Sequence, residues 1–410
     1  MRSAALLLVL WCGAASAEPL HSAIERGRYL AAAGDCAACH TADGGKPYAG
    51  GRPVPTPFGV IYSTNITPDK ETGIGRWTEE QFYRAMHEGI RADGKHLYPA
   101  FPYPWYTKLS RQDVDAIRAF LQALPRVKQG NKPTELPWPL SVREVMSGWN
   151  SLYFKKGEYK ADPQQSAEWN RGAYLVEGLG HCGACHTPKN IAGGLKTKQN
   201  LEGGYGENWY ATSLTNDVRD GLGQWTLDDI VRYLRSGVNA KAAATGPMAE
   251  VIEHSTQHLS DADLRAIGVY LRSVPGRNQT ANAESDKDRL ARGQALYVDQ
   301  CAGCHMEDGS GQRNTFPPLA GNAVVQSREP GTMLHMIIDG ARVVATAHDP
   351  TGLAMPGFGW KLTDQDIADL ATYLRSAWGN RAAAVSVSQV KDTRERVAKA
   401  SSQGSAAAGK

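Results

Sequence analysis

The sequence predicts an all-α protein built from three tandem units of one design. Three observations carry that prediction. Cys-x-x-Cys-His occurs three times, as Cys36-Ala37-Ala38-Cys39-His40, Cys182-Gly183-Ala184-Cys185-His186 and Cys301-Ala302-Gly303-Cys304-His305. Each copy follows a segment with the same punctuation: Arg26-Gly27-Arg28-Tyr29-Leu30, Arg171-Gly172-Ala173-Tyr174-Leu175 and Arg292-Gly293-Gln294-Ala295-Leu296. Each unit also closes alike, on Leu109-Ser110-Arg111-Gln112-Asp113, Leu259-Ser260-Asp261-Ala262-Asp263 and Leu362-Thr363-Asp364-Gln365-Asp366.

The Arg-Gly segments read as the first helix of each unit. Apolar neighbours supply the buried stripe, and the glycine lets another helix cross closely. The closing segments read as the start of the last helix, reaching Leu124, Ser273 and Ser376. Ser or Thr is the N-cap, and Asp three residues on suits a capping box and the positive helix end. Apolar residues then recur at helical spacing, as in Val114, Ile117, Phe120 and Leu121. The first two units share more. Tyr62-Ser63-Thr64-Asn65-Ile66-Thr67 parallels Tyr210-Ala211-Thr212-Ser213-Leu214-Thr215, and Gly73-Ile74-Gly75-Arg76-Trp77-Thr78 parallels Gly221-Leu222-Gly223-Gln224-Trp225-Thr226. A duplication explains both, with Thr78 and Thr226 as N-caps of a middle helix. The third unit lacks this loop and is shorter.

Cys-x-x-Cys-His is the attachment motif of c-type haem. The paired thiols form thioethers to the haem vinyls, and the adjacent His reaches the iron. Zinc or disulfide pairs do not place a His directly after each Cys-x-x-Cys. Three haem c groups are therefore expected, attached through Cys36, Cys39, Cys182, Cys185, Cys301 and Cys304, with His40, His186 and His305 on iron. A Met sixth ligand raises the potential. It should come from the loop before the last helix. Met355, in Ala354-Met355-Pro356-Gly357, and Met248, in Gly246-Pro247-Met248, stand there. In the first unit that place holds Phe101, which cannot bind iron. Met146 folding back from the following linker is the favoured substitute. His96 ligation and an open iron are the alternatives. Met86 aligns with Leu234 on the central helix and reads as core.

The chain opens with Met1-Arg2, an apolar run from Ala4 to Trp11, and Ala15-Ser16-Ala17. That is a secretory leader, too short to span a bilayer, so an exported protein is expected. The expected boundaries are a leader 1–17, units 18–127, 168–276 and 289–379, linkers 128–167 and 277–288, and a disordered tail 380–410. The first linker carries Trp138, Trp149, Tyr153 and Phe154, too aromatic for a solvated tether, and should pack against the units. A net charge of +3 without a basic block excludes a nucleic-acid partner. No later stretch reads as a membrane span. No Ser/His/Asp set, phosphate loop or dinucleotide fingerprint stands out. His21, His254, His258, His335 and His348 have no partner pattern and read as surface or hydrogen-bonding residues.

Longer strings carry a family resemblance: Thr56-Pro57-Phe58-Gly59, Tyr62-Ser63-Thr64-Asn65-Ile66-Thr67-Pro68, His96-Leu97-Tyr98-Pro99-Ala100, Gly148-Trp149-Asn150 and His181-Cys182-Gly183-Ala184-Cys185-His186-Thr187-Pro188. In these the chain resembles the triheme cytochrome c subunits of bacterial membrane-associated dehydrogenases for alcohol, aldehyde, gluconate or fructose. The resemblance implies three tandem class I cytochrome c-like domains in an electron-relay subunit. It further implies a catalytic subunit of quinoprotein, flavoprotein or molybdenum type, ubiquinone or another carrier as acceptor, and a periplasmic location. The tail lacks the apolar anchor of many relatives, so membrane contact is expected through a partner. Many relatives carry Met where Phe101 stands. A different reading is a haem enzyme such as a peroxidase, with His96 or His87 as distal base at an open first haem.

Overall fold

A computed structural model describes residues 20–277 and 286–408. The leader expected over 1–17 and most of the linker expected over 277–288 lie outside them. The first unit runs α1 (Leu20–Ala33), α2 (Cys36–His40), β1 (Pro53–Thr56), β2 (Gly59–Tyr62), α3 (Glu79–Glu88), α4 (Tyr103–Tyr106) and α5 (Arg111–Ala123). The linker contributes α6 (Val145–Tyr153). The second unit runs α7 (Ala167–Tyr174), a π-helical turn over Leu175–Leu179, α8 (Gly183–His186), β3 (Gly204–Gly206), β4 (Trp209–Ala211), α9 (Leu227–Ser236), α10 (Pro247–His254) and α11 (Asp261–Ser273). The third runs α12 (Lys287–Gln300), α13 (Ala302–His305), α14 (Ala323–Gln326), α15 (Gly331–Asp339), β5 (Gly340–Arg342), β6 (Ala354–Pro356) and α16 (Asp364–Ser376), followed by α17 (Val387–Ala408).

First and last helices pack in each unit, α1 on α5, α7 on α11 and α12 on α16. The repeated glycine sets the crossing. A Cβ on Gly27 would lie 1.9 Å from the Ala116 carbonyl oxygen, one on Gly172 1.9 Å from that of Ala266, and one on Gly293 2.3 Å from that of Asp369. Only a residue without a side chain lets the two backbones meet there.

The predicted N-caps form. Ser110, Ser260 and Thr363 each accept from the amide three residues on, and Thr78 and Thr226 cap α3 and α9 in full capping boxes. At the last helices the reciprocal half of the box forms only in the third unit, between Asp366 and Thr363. Asp113 instead pairs with Arg26 and accepts from Tyr174 of the second unit. Asp263 pairs with Arg171 and accepts from Tyr29 of the first. Equivalent tyrosines thus bond to equivalent aspartates across a pseudo-twofold contact. Ala295 replaces the tyrosine in the third unit, and Asp366 there is left to its own helix.

Three two-stranded antiparallel ladders were not expected: β1 with β2, β3 with β4, and β5 with β6. Strands of three or four residues show no readable alternation. The linker crosses the first hairpin, where Val60 and Glu135 exchange backbone hydrogen bonds of 3.1 and 2.8 Å.

The first two units share one hydrophobic core, from Leu30 and Phe120 to Leu179 and Leu264, while the third builds its own around Leu334, Ile367 and Leu370. A small cluster of Ala244, Ile252 and Val344 joins the second to the third.

The tail departs from expectation. Residues 387–408 form α17, which packs on α15 and α16. Val390, Thr393 and Val397 share one helical face and are buried, and Arg394 pairs with Asp364 while donating to the Gly359 and Leu362 carbonyls. Two valines and a threonine among Ala, Ser and Lys suffice when a groove is waiting. Average composition hides so narrow a stripe.

Candidate haem sites

Each Cys-x-x-Cys-His lies on a short helical turn: α2, α8 with the preceding Cys182, and α13 with the preceding Cys301. None of the six cysteines is in a disulfide. Burial pushes the Cys36, Cys39 and Cys182 thiols up to about 12 and that of Cys301 up to about 11. Among the described residues no group of three or more His, Cys, Asp or Glu side chains converges as a bare metal ion requires.

The histidines share one geometry. Nδ1 of His40 lies 2.6 Å from the Thr64 carbonyl oxygen, that of His186 2.6 Å from Thr212, and that of His305 2.9 Å from Pro317. A carbonyl only accepts, so Nδ1 carries the proton and the Nε2 lone pair is free for a metal. Desolvation lowers all three imidazoles, against the opposing pull of the carbonyl bond, which keeps them neutral as ligands. Thiols, a free Nε2 and an orienting carbonyl, three times over, fit covalently held haem. The carbonyl partners escaped the sequence reading, although Thr64 and Thr212 sit in the duplicated Tyr-x-Thr strings.

A cytochrome c family profile matches residues 24–125 and 290–378, the first and third units. Over most of its length the chain is similar to dehydrogenase cytochrome subunits. It is 42% identical over 384 residues to the gluconate 2-dehydrogenase cytochrome c subunit of Pantoea cypripedii, covering 88% of this chain and 87% of that one. It is 41% identical over 419 residues to the cytochrome c subunit of alcohol dehydrogenase (quinone) of Gluconobacter oxydans, covering 97% and 88%. It is 40% identical over 403 residues to the fructose dehydrogenase cytochrome subunit of Gluconobacter japonicus, covering 90% and 82%. The chain belongs to this family of dehydrogenase cytochrome c subunits. It is an electron-transfer protein, and these relatives give the peroxidase reading no support.

In this cytochrome c subunit the predicted methionines fall in different settings. Met355 lies on β6, opposite Ala341 and against the third core. Met248 opens α10 and packs against Ala244 and Ile252. In the first unit Phe101 packs edge-on against Tyr106 at 5.4 Å. Met86 is buried in the core that Phe101 borders. Met146 is buried separately, on α6. That helix is held to the 96–103 segment by Tyr103 donating to Asn150 and Arg143 donating to the His96 carbonyl. His87 is stacked on Tyr83 with ring centroids 4.8 Å apart, and Nδ1 of His96 lies 3.5 Å from the Asn150 side-chain nitrogen.

The tertiary structure brings the first two sites together. Tyr106 donates to the Gly34 carbonyl, two residues before Cys36, and its ring lies 5.6 Å from that of His181, next to Cys182. Arg52 donates to the Ala38 carbonyl inside the first motif at 2.7 Å. Its other nitrogen pairs with Glu207 at 3.2 Å and Glu250 at 2.7 Å in the second unit. Glu207 lies beside Gly206, where a Cβ would come within 2.6 Å of the Cys185 sulfur, and Glu250 lies two residues past Met248. The third unit joins the second through Thr332, which bonds both backbone groups of Tyr210, and through His335 stacked on Trp209 at 3.8 Å. His335 is thus buried in the interface between units. Sequence reading singled out neither Arg52 nor these contacts, which link residues far apart in the chain.

Proposed function

We propose that this subunit carries three covalent haem c groups, one per cytochrome c-like unit, and relays electrons from a dehydrogenase catalytic subunit to ubiquinone or another carrier. The supporting observation is the histidine geometry repeated at His40, His186 and His305, each with Nδ1 bonded to a backbone carbonyl. Haem supplies one-electron chemistry at iron when bound. The protein's part is to attach it through Cys36, Cys39, Cys182, Cys185, Cys301 and Cys304, orient it, and set its potential through ligands and burial. Met248 and Met355 would help hold the second and third haems, each offering a thioether sulfur that raises the potential of a bound iron. Met146 is the proposed sixth ligand of the first, with Met86 as its competitor because it shares a core with Phe101. The shared core of the first two units and the Tyr210–Thr332 contact support an arrangement with the second haem in the middle. The catalytic partner is of quinoprotein, flavoprotein or molybdenum type, and the assembly works on the periplasmic side after export.

Mass spectrometry of the mature chain, with a redox spectrum of the same sample, tests this reading. The cleaved polypeptide plus three haems, all low-spin and indifferent to carbon monoxide when reduced, is expected. Fewer haems overturns it. Met146→Leu and Met86→Leu decide the first site: loss of one thioether-to-iron charge-transfer band names the ligand. Retention in both, with carbon monoxide binding to one haem, makes the first iron open.

A further inference from the structure

The helix α6 has two apolar faces. Met146, Asn150 and Tyr153 turn inward: Met146 is buried, Asn150 holds Tyr103, and Tyr153 fills the space over Gly194. Val145, Trp149 and Leu152 each stand one position earlier and form the neighbouring ridge, about 100° round the helix, where Leu152 is 76% exposed. Trp138, 82% exposed, and Val142 continue it upstream. Ile191, 96% exposed, stands beside it on a loop tied to α6 by Trp149 Nε1 donating to the Ala192 carbonyl at 2.9 Å. Isolated exposed apolar residues are ordinary, but here four, Trp138, Val142, Val145 and Leu152, fall within residues 138–152, and Ile191 is held beside them through Trp149, a clustering that marks an interaction site.

Charge is concentrated at the same place. Residues 128–160 contain six Lys or Arg and three Glu; Lys128 and Lys156 are paired with Glu71 and Glu88 from outside the segment, whereas Lys155 and Lys160 have no ion pair among the described residues. Lys155 and Lys160 follow the ridge directly and are exposed. Arg91, Lys95 and Arg143 line the hollow next to Val142 together with Glu144, and Arg91 is paired with Asp93 at 3.3 Å.

We infer that this face is a membrane-docking surface, with α6 lying along an anionic phospholipid bilayer and Trp138, Leu152 and Ile191 inserted at the headgroup boundary. The side chains project singly from a turn, a ridge and a loop tip. Such projections enter a fluid acyl region without needing a matching recess, and Trp favours that interface. The basic excess is complementary to anionic headgroups. No described helix is long and apolar enough to cross a membrane. Contact by a surface-lying element would add to the membrane contact expected through a partner. It goes beyond the electron-relay reading: vesicle binding is measured on a protein whose haem content is assayed separately, so either can fail alone.

The test is sedimentation of the mature, haem-loaded chain with phosphatidylglycerol/phosphatidylcholine vesicles and with phosphatidylcholine alone. Binding to the anionic vesicles that weakens with added salt is expected. Trp138→Ser/Leu152→Ser/Ile191→Ser should lower the partition coefficient by about tenfold or more. Lys155→Glu/Lys160→Glu should lower it on anionic vesicles alone. Both variants should keep wild-type haem stoichiometry and spectra, because the altered side chains are exposed. No binding by the wild type, or equal binding by the triple variant, overturns the inference. So does a triple variant that loses its catalytic subunit while keeping its vesicle affinity, which would make the face a protein interface.

Discussion

Gly172→Ala should destabilise the first two units, although alanine is the better helix former. In an isolated helix the exchange favours folding by about 1 kcal/mol. Here the new Cβ would lie 1.9 Å from the Ala266 carbonyl oxygen, 2.6 Å from its carbon and 2.8 Å from the Tyr270 Cβ. Ordinary contact begins near 3.4 Å, so α7 and α11 must separate by about 1.5 Å. The obstacle is helical backbone, which cannot rotate aside. Separation also stretches the Arg171–Asp263 pair, now at 2.7 Å. Overpacking of a core costs about 1–3 kcal/mol, and a clash with backbone belongs at the upper end, leaving a net loss of about 2 kcal/mol. Gly148→Ala in α6 is the control, because nothing lies within 4 Å of its Cβ position. It should gain up to about 1 kcal/mol. Denaturant unfolding of the mature haem-loaded chain, followed by circular dichroism, reads both. The loss should appear in the transition of the first two units, which share a core, rather than in that of the third. Unchanged or raised stability in Gly172→Ala, with Gly148→Ala behaving as stated, would refute close backbone crossing as the role of the repeated glycine.

Tyr29→Phe and Tyr174→Phe each remove one half of the reciprocal contact with Asp263 and Asp113, at 2.6 and 2.5 Å. Each should cost about 1.5–3 kcal/mol, as expected for a hydrogen bond to a charged group, measured by the same unfolding assay. Stability should also depend on pH through His335. Its burial, with Arg396 adding to the effect and Asp339 opposing it, lowers the imidazole below its usual value. The unfolded chain therefore binds the proton more readily, so this contribution is complete above the unfolded pKa near 6.5 and declines as pH falls through the folded value. One proton gives a slope of at most about 1.4 kcal/mol per pH unit. His335→Phe should flatten the profile between about pH 7.5 and 5.5, and an unchanged slope would remove His335 as its source.

Local pattern was legible wherever the chain uses short-range chemistry. The capped last helices and the glycine crossing could be read because Ser110, Ser260, Thr363 and Gly27, Gly172, Gly293 act on residues a turn away or repeat at fixed offsets. The hairpins were too short to read. The α17 stripe was too thin, with Val390 and Val397 buried in a groove that exists only once α15 and α16 are packed. Of the linker aromatics expected to pack against the units, Tyr153 lies over Gly194 and Phe154 against Tyr103, while Trp138 faces outward.

By itself the sequence determined the class of chemistry, because thioether attachment needs two thiols and a ligand within five consecutive residues. It also determined the threefold repeat and the helices at each unit's ends, which follow from capping and periodicity within single segments. The tertiary structure decided which repeats pair. Tyr29 meets Asp263, Tyr174 meets Asp113, and Arg52 spans from Ala38 to Glu207 and Glu250. It also supplied the carbonyls that free each histidine's Nε2 and left one face of α6 uncovered. These depend on contacts between residues from a dozen to more than two hundred positions apart, and only the folded chain brings such residues within hydrogen-bond reach.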